Sequence, residues 1–256
     1  MTRFGGYAAI VTGGARGIGA AIARRLATEG ARVVVADVDA DAAKAAAADI
    51  GRGAEWVHCD VRDSADVDEA VAHTVETFGR LDVVVNNAYA GATVGPVETI
   101  SDADWLATFE VTLHGAVRVS RAALPHLARA GGRGAIVNIG SVNGETGLGE
   151  HAYSAAKAGL AGFTRTLAIE AADHGVRVNL VAPGTIRTRA WDGREQTLAA
   201  VAANVYPLGR VGEPSDVAAA VAFLASADAA WITGVTLPVD GGLLAGNLAW
   251  TRAPRD

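Results

Sequence analysis

The sequence predicts an α/β protein built as one domain on a doubly wound parallel sheet. Short apolar runs alternate with helical patterns along the 256 residues, the order that gives a parallel sheet covered by helices on both faces. The strand-like runs are continuously apolar, as strands buried on both sides are. The first run leads into a glycine-rich turn and then a helix. Half of the residues are hydrophobic but only 5% are aromatic, which suits many helices packed closely on a sheet. The length suffices for a full core.

Residues 7–11 form the first predicted strand, and residues 12–19 the turn. The turn spaces its glycines G-x-x-x-G-x-G at Gly13, Gly17 and Gly19. A helical pattern follows over 20–29 and stops at Gly30. Such a turn lets the backbone approach a pyrophosphate that faces the helix N-terminus. The second strand, 32–36, ends at Asp37. A carboxylate there accepts hydrogen bonds from both ribose hydroxyls of adenosine and repels a 2′-phosphate, so NAD is favoured over NADP. Arg16, inside the turn, argues the other way, because its guanidinium could reach a 2′-phosphate.

The helix of 41–50 precedes a third strand, 54–59, which ends at Asp60-Val61. A helix over 63–78, closed by Gly79, precedes the fourth strand, 82–85, and Asn86-Asn87-Ala88. A long helical tract spans 102–129. The fifth strand, 134–139, places Ser141 just past its carboxyl end, where ligands bind in such sheets. The next helix runs to 173. The sixth strand, 176–181, ends in Pro183-Gly184. Periodicity weakens over 185–207, which reads as a mobile substrate loop. A helix over 214–225 and a strand over 236–239 close the pattern before Asp240-Gly241-Gly242.

The chemistry centres on Ser141, Tyr153 and Lys157. Tyr153 and Lys157 are four residues apart and share a helix face. A phenol ionises near ~10, too high for acid–base work at neutrality. An ammonium one turn away favours the phenolate, and the Ser141 hydroxyl can hold a carbonyl or alcohol oxygen within reach.

With Asp60-Val61, Asn86-Asn87-Ala88, Pro183-Gly184-Thr185-Ile186-Arg187-Thr188 and the end at Val239–Gly242, these residues make the chain resemble the short-chain dehydrogenase/reductase family over about 3–243. The resemblance implies a Rossmann-type domain that carries both cofactor and catalytic sites and transfers a hydride between a nicotinamide and an alcohol or ketone. It implies that Gly13, Gly17, Ile18 and Gly19 line the pyrophosphate and ribose, and that Asp60 and Val61 flank adenine. By the same resemblance Asn87 and Ala88 back the cofactor, while Pro183, Gly184, Ile186 and Thr188 hold the nicotinamide end. Tyr153 would be the acid/base, Ser141 the oxygen-positioning group, and Lys157 both ribose ligand and activator.

Three features depart from the family pattern. Tyr89 stands where glycine is usual. Thr112 replaces an asparagine whose main-chain carbonyl serves a proton relay, a carbonyl that threonine also offers. Ser141 precedes Tyr153 by twelve positions rather than one more. Tyr89, Asn143, His151 and Trp191 are the expected substrate wall, with Arg187, Arg189 and Arg194 nearby. A polar, oxygen-rich substrate such as a sugar, polyol or hydroxy acid is expected. An NADP-dependent ketoreductase of the acyl-carrier or polyketide type is the alternative enzyme reading. A nucleotide-sensing binding protein is the rival from another class, and intact Ser141, Tyr153 and Lys157 argue against it.

The net charge of −6 and pI near 5.5 offer no nucleic-acid footprint. The single cysteine, Cys59, excludes an intramolecular disulfide and a Cys-rich zinc site, and no metal is expected. No apolar segment approaches the ~20 residues of a membrane span, and Met1 leads directly into a strand, so a cytoplasmic setting is expected. The resemblance implies a homotetramer, with a dimer as second choice; the apolar tract 156–169 fits a covered helix.

Overall fold

In the computed structural model, which describes residues 2–91, 95–246 and 248, the expected parallel sheet is present with seven strands in the order β3-β2-β1-β4-β5-β6-β7. The strands are β1 (Ala8–Thr12), β2 (Arg32–Asp37), β3 (Glu55–His58), β4 (Val83–Asn86), β5 (Ala135–Ile139), β6 (Arg177–Pro183) and β7 (Thr236–Val239). The helices between them are α1 (Gly17–Thr28), α2 (Ala40–Ile50), α3 (Ser64–Phe78), α4 (Asp102–Phe109), α5 (Gly115–Leu127), α6 (His151–Ala172), α7 (Glu195–Val205) and α8 (Pro214–Ala225). The ends of the expected 1–256 domain, residue 1 and residues 249–256, lie outside the described residues.

Side chains alternate across the sheet, so each central strand feeds two cores. Ala9, Val11, Val33 and Val35 face one cluster with Ile22, Leu26 and Val217 from α1 and α8. Ile10 and Val34 face the other with Val67, Val71, Val119 and Leu167 from α3, α5 and α6. This is why the strands read as unbroken apolar runs. The helix starts are set locally: Asp39 accepts from Ala42 N at 3.0 Å and Asp63 from Ala65 N at 2.8 Å. Gly79 closes α3 in the left-handed region, φ 74°, where glycine carries no steric penalty.

Chain order turns outward on both sides of the β1/β4 pair. A doubly wound sheet binds ligands at that switch point, beyond the carboxyl ends of its strands.

Two expectations on secondary structure need correction. The long tract of 102–129 is broken by a π-helical turn at Glu110–His114, where Gly115 N–H bonds back to Glu110. Residues 185–207 are not an open loop: they contain a short 3-10 turn at Arg189–Trp191 and the helix α7. Leu198 is the buried residue of α7, and it packs with Tyr206 and Val211 beside Trp191, Val201 and Val205. No helix among the described residues is long and apolar enough to cross a membrane.

Candidate active site

A cleft of about 1260 Å³ opens over the carboxyl ends of the central strands. Its floor at one end is the glycine turn. Gly13 and Gly17 adopt φ of 59° and 52°, which other residues reach only with strain. A Cβ on Gly19 would stand 2.1 Å from Gly13 O and 2.6 Å from Asn87 Nδ2, so helix and turn meet only without a side chain there. Asn87, reached from β4, donates to Thr12 O at 3.0 Å and to Gly13 O at 2.8 Å. Its own N–H bonds to Thr12 Oγ1 at 3.1 Å. β4 thus braces the turn directly.

Asp37, at the end of β2, accepts from Ala15 N and from Asp39 N, each at 3.1 Å. Asp37 lines the cleft, and each of its oxygens can accept a further hydrogen bond. Arg16 is committed elsewhere, with Nη2 2.6 Å from Asp39 Oδ2. The Ala42 backbone bond first and the Arg16 bond second hold the Asp39 carboxyl below its ordinary range. Asp60 and Val61 line the same end, and Arg62 pairs with Asp60 at 2.5 Å.

At the other end Ser141, Tyr153 and Lys157 all line the cleft. Ser141 Oγ donates to Asn143 Oδ1 and accepts from Asn143 N, both at 3.2 Å. Lys157 is buried, with Nζ 2.5 Å from Ile139 O and 5.5 Å from the Tyr153 ring centre. Burial drives the phenol of Tyr153 up to about 12, the adjacent Ser141 hydroxyl pulling it back, and lowers Lys157 to about 7. Each group loses water and gains no counter-charge, so desolvation outweighs the attraction inferred from spacing alone.

Gly13, Arg16, Gly17, Ile18, Gly19, Asn87, Ala88, Pro183, Gly184, Ile186 and Thr188 also fall on the cleft wall, as expected. So do Tyr89, Asn143 and Trp191. Tyr89 stands edge-on to Tyr153, with ring centres 6.2 Å apart. Two residues fall elsewhere. His151, the first residue of α6, is exposed and not on the cleft wall, because residues two apart on a helix, as His151 and Tyr153 are, do not share a face. Thr112 is buried in the π-helical turn behind the cleft, its Oγ1 accepting from Ala90 N at 3.3 Å.

This chain matches the family described as enoyl-(acyl carrier protein) reductase over residues 13–244. It is 43% identical over 240 residues to cis-4-hydroxycyclohexanecarboxylate dehydrogenase of Sinomonas cyclohexanicum, covering 93% of this chain and 96% of that one. To D-threitol dehydrogenase of Mycolicibacterium smegmatis it is 42% identical over 94% of each chain. The chain belongs to the short-chain dehydrogenase/reductase family. The crystal structure of gox2181 shares the fold with a TM-score of 0.90 and 36% identity, covering 96% of this chain and 98% of that chain.

As a short-chain dehydrogenase/reductase the protein is an NAD(P)-dependent oxidoreductase acting on a CH–OH group or the matching ketone. The residues fit a nicotinamide dinucleotide. The glycines let turn, α1 and β4 pack closely where a Cβ would clash with Asn87, Ala88 or Gly13, which leaves a side-chain-free turn at the helix N-terminus suited to a diphosphate, and Asp37 is placed at the strand end. Sequence reasoning missed an apolar part of the wall: Val142, Leu148, Val201, Val205 and Leu243. Their signal was hidden because they come from a Gly-rich loop, a weakly periodic helix and the short 3-10 turn at Leu243–Ala245.

Proposed function

We propose that this short-chain dehydrogenase/reductase uses NAD to oxidise a secondary alcohol in a polar, oxygen-rich substrate, and works as a homotetramer. The cofactor choice is carried by one observation: Asp37 lines the cleft at the end of β2 while Arg16, the cation nearest in sequence, is held by Asp39. A 2′-phosphate would meet a carboxylate and no free cation in the turn. When bound, oxidised nicotinamide would supply a hydride acceptor and a positive charge. The chain's residues do the rest. Ser141 would hold the substrate hydroxyl oxygen, Tyr153 as phenolate would take its proton, and Lys157, held by Ile139 O near the tyrosine ring, would stabilise that phenolate when protonated. Titration calorimetry with NADH and NADPH tests the choice. NADH should bind about tenfold more tightly or better, the scale of a charge-assisted hydrogen bond with avoided repulsion. Tighter NADPH binding contradicts it.

A polar substrate is supported by Asn143 and Glu150 on the cleft wall and by two relatives whose names specify a polyol and a hydroxy acid. The aromatic and apolar side of the wall would take the carbon skeleton. Assembly is supported by large apolar side chains left in solvent: Ile169 on α6 is 78% exposed and Trp231 fully exposed, with Phe223 and Val235 also exposed. Stranded apolar groups on α6 and around α8 and β7 fit covered faces. Light scattering at micromolar concentration should give a tetrameric mass, and a monomeric mass would refute it.

A further inference from the structure

Five cations line the cleft among the described residues: Arg16, Arg62, Lys157, Arg189 and Arg194. Four are engaged. Arg16 pairs with Asp39 and Arg62 with Asp60. Lys157 donates to Ile139 O, and Arg194 lies over the Trp191 ring at 4.4 Å while donating to Ala190 O. Among the described residues the Arg189 guanidinium has no hydrogen bond or ion pair, and even Asp192, three positions on, makes none with it.

Position then selects what this cation meets. Arg189 begins the 3-10 turn that follows Thr188. The Thr188 methyl lies 3.5 Å from where a Cβ of Gly17 would stand. The segment leading into α7 therefore crosses the cleft and touches the glycine turn, one residue before Arg189. A dinucleotide diphosphate carries two negative charges. The turn itself offers only backbone N–H groups and the roughly half charge of the α1 terminus, and its own arginine is already paired.

We propose that Arg189 clamps the cofactor diphosphate from the α7 side of the cleft, opposite the glycine turn. The proposal rests on the reading that a nicotinamide dinucleotide occupies this cleft. A guanidinium suits the task because its fixed fork of donors matches phosphate oxygens in pairs. A carboxylate on the substrate is the other anion that could claim the same side chain, and the experiment separates the two.

The test is titration calorimetry of wild type and Arg189→Gln with ADP-ribose, adenosine and NADH. Ligand-free unfolding midpoints serve as a folding control, since Arg189 is exposed. Arg189→Gln should weaken ADP-ribose and NADH about tenfold or more and leave adenosine, which lacks the diphosphate, unchanged. Arg189→Lys should recover part of the loss, and the wild-type advantage should shrink with added salt. Unchanged ADP-ribose affinity in Arg189→Gln overturns the proposal. If in that case KM rises only for an anionic substrate, the arginine serves the substrate instead. Wild type that binds neither ADP-ribose nor NADH would remove the dinucleotide reading and the clamp with it.

Discussion

Lys157 and Tyr153 share one face of α6, and the burial that brings them together pushes their ionisation apart. The spacing of Ser141, Tyr153 and Lys157 was readable because it depends on local geometry. Their titration was not, because desolvation depends on which distant strands and turns close over them. Lys157 ionises near 7 in the fold against an ordinary 10.5. Between those values the unfolded chain holds a proton that the native state has released. Native stability therefore rises with pH across that window, and the burial penalty is full below pH 7. Lys157→Met removes the penalty along with activity. Its unfolding free energy relative to wild type should be most favourable below pH 7 and decline by roughly 2–5 kcal/mol toward pH 10.5. Denaturant titrations across that range decide, and a pH-independent difference would show that the lysine is not held neutral by burial. His151 illustrates the converse. Two positions from Tyr153, it is expected near the reacting oxygen, yet both lie on α6 and residues two apart on a helix point to different sides.

At the scale of elements, the glycine turn works as a unit with β4. Asn87 is buried and braces Thr12 and Gly13 through its amide. Asn87→Ala should lower the unfolding free energy by about 1–3 kcal/mol, the cost of leaving buried carbonyls short of donors. It should also weaken NADH binding, because the cradle loses its brace. Calorimetry that finds NADH affinity unchanged in a destabilised Asn87→Ala would separate bracing from binding. The strand and helix positions were legible almost throughout, since buried parallel strands and capped helices leave strong local signals. α7 was not. It rests on the protein mainly through Leu198, so its sequence shows little periodicity, and the arginines before it read as loop. The π-helical turn at Glu110–His114 leaves no pattern either, because it adds one residue per turn without changing composition.

Across the whole molecule, groups separated by most of the chain converge at one sheet edge. Gly13 and Asp37 come from β1 and β2, Asn87 from β4, Ser141 from β5 and Pro183 from β6. That convergence was foreseeable from the alternation of strands and helices, which sends every carboxyl end to the same side. The shape of the substrate wall was not, since Leu148, Val205 and Leu243 meet only after folding. Growth of the reduced-nicotinamide absorbance band weighs the central claim that Tyr153 moves the proton while NAD takes the hydride. Wild type and Tyr153→Phe, each saturated with NAD, would be given a panel of polyols, hydroxy acids and matched simple secondary alcohols. Wild type should reduce NAD and favour the oxygen-rich members by kcat/KM. Tyr153→Phe should turn over ~10²–10⁴-fold more slowly while binding NADH normally. Near-normal turnover by Tyr153→Phe would contradict it.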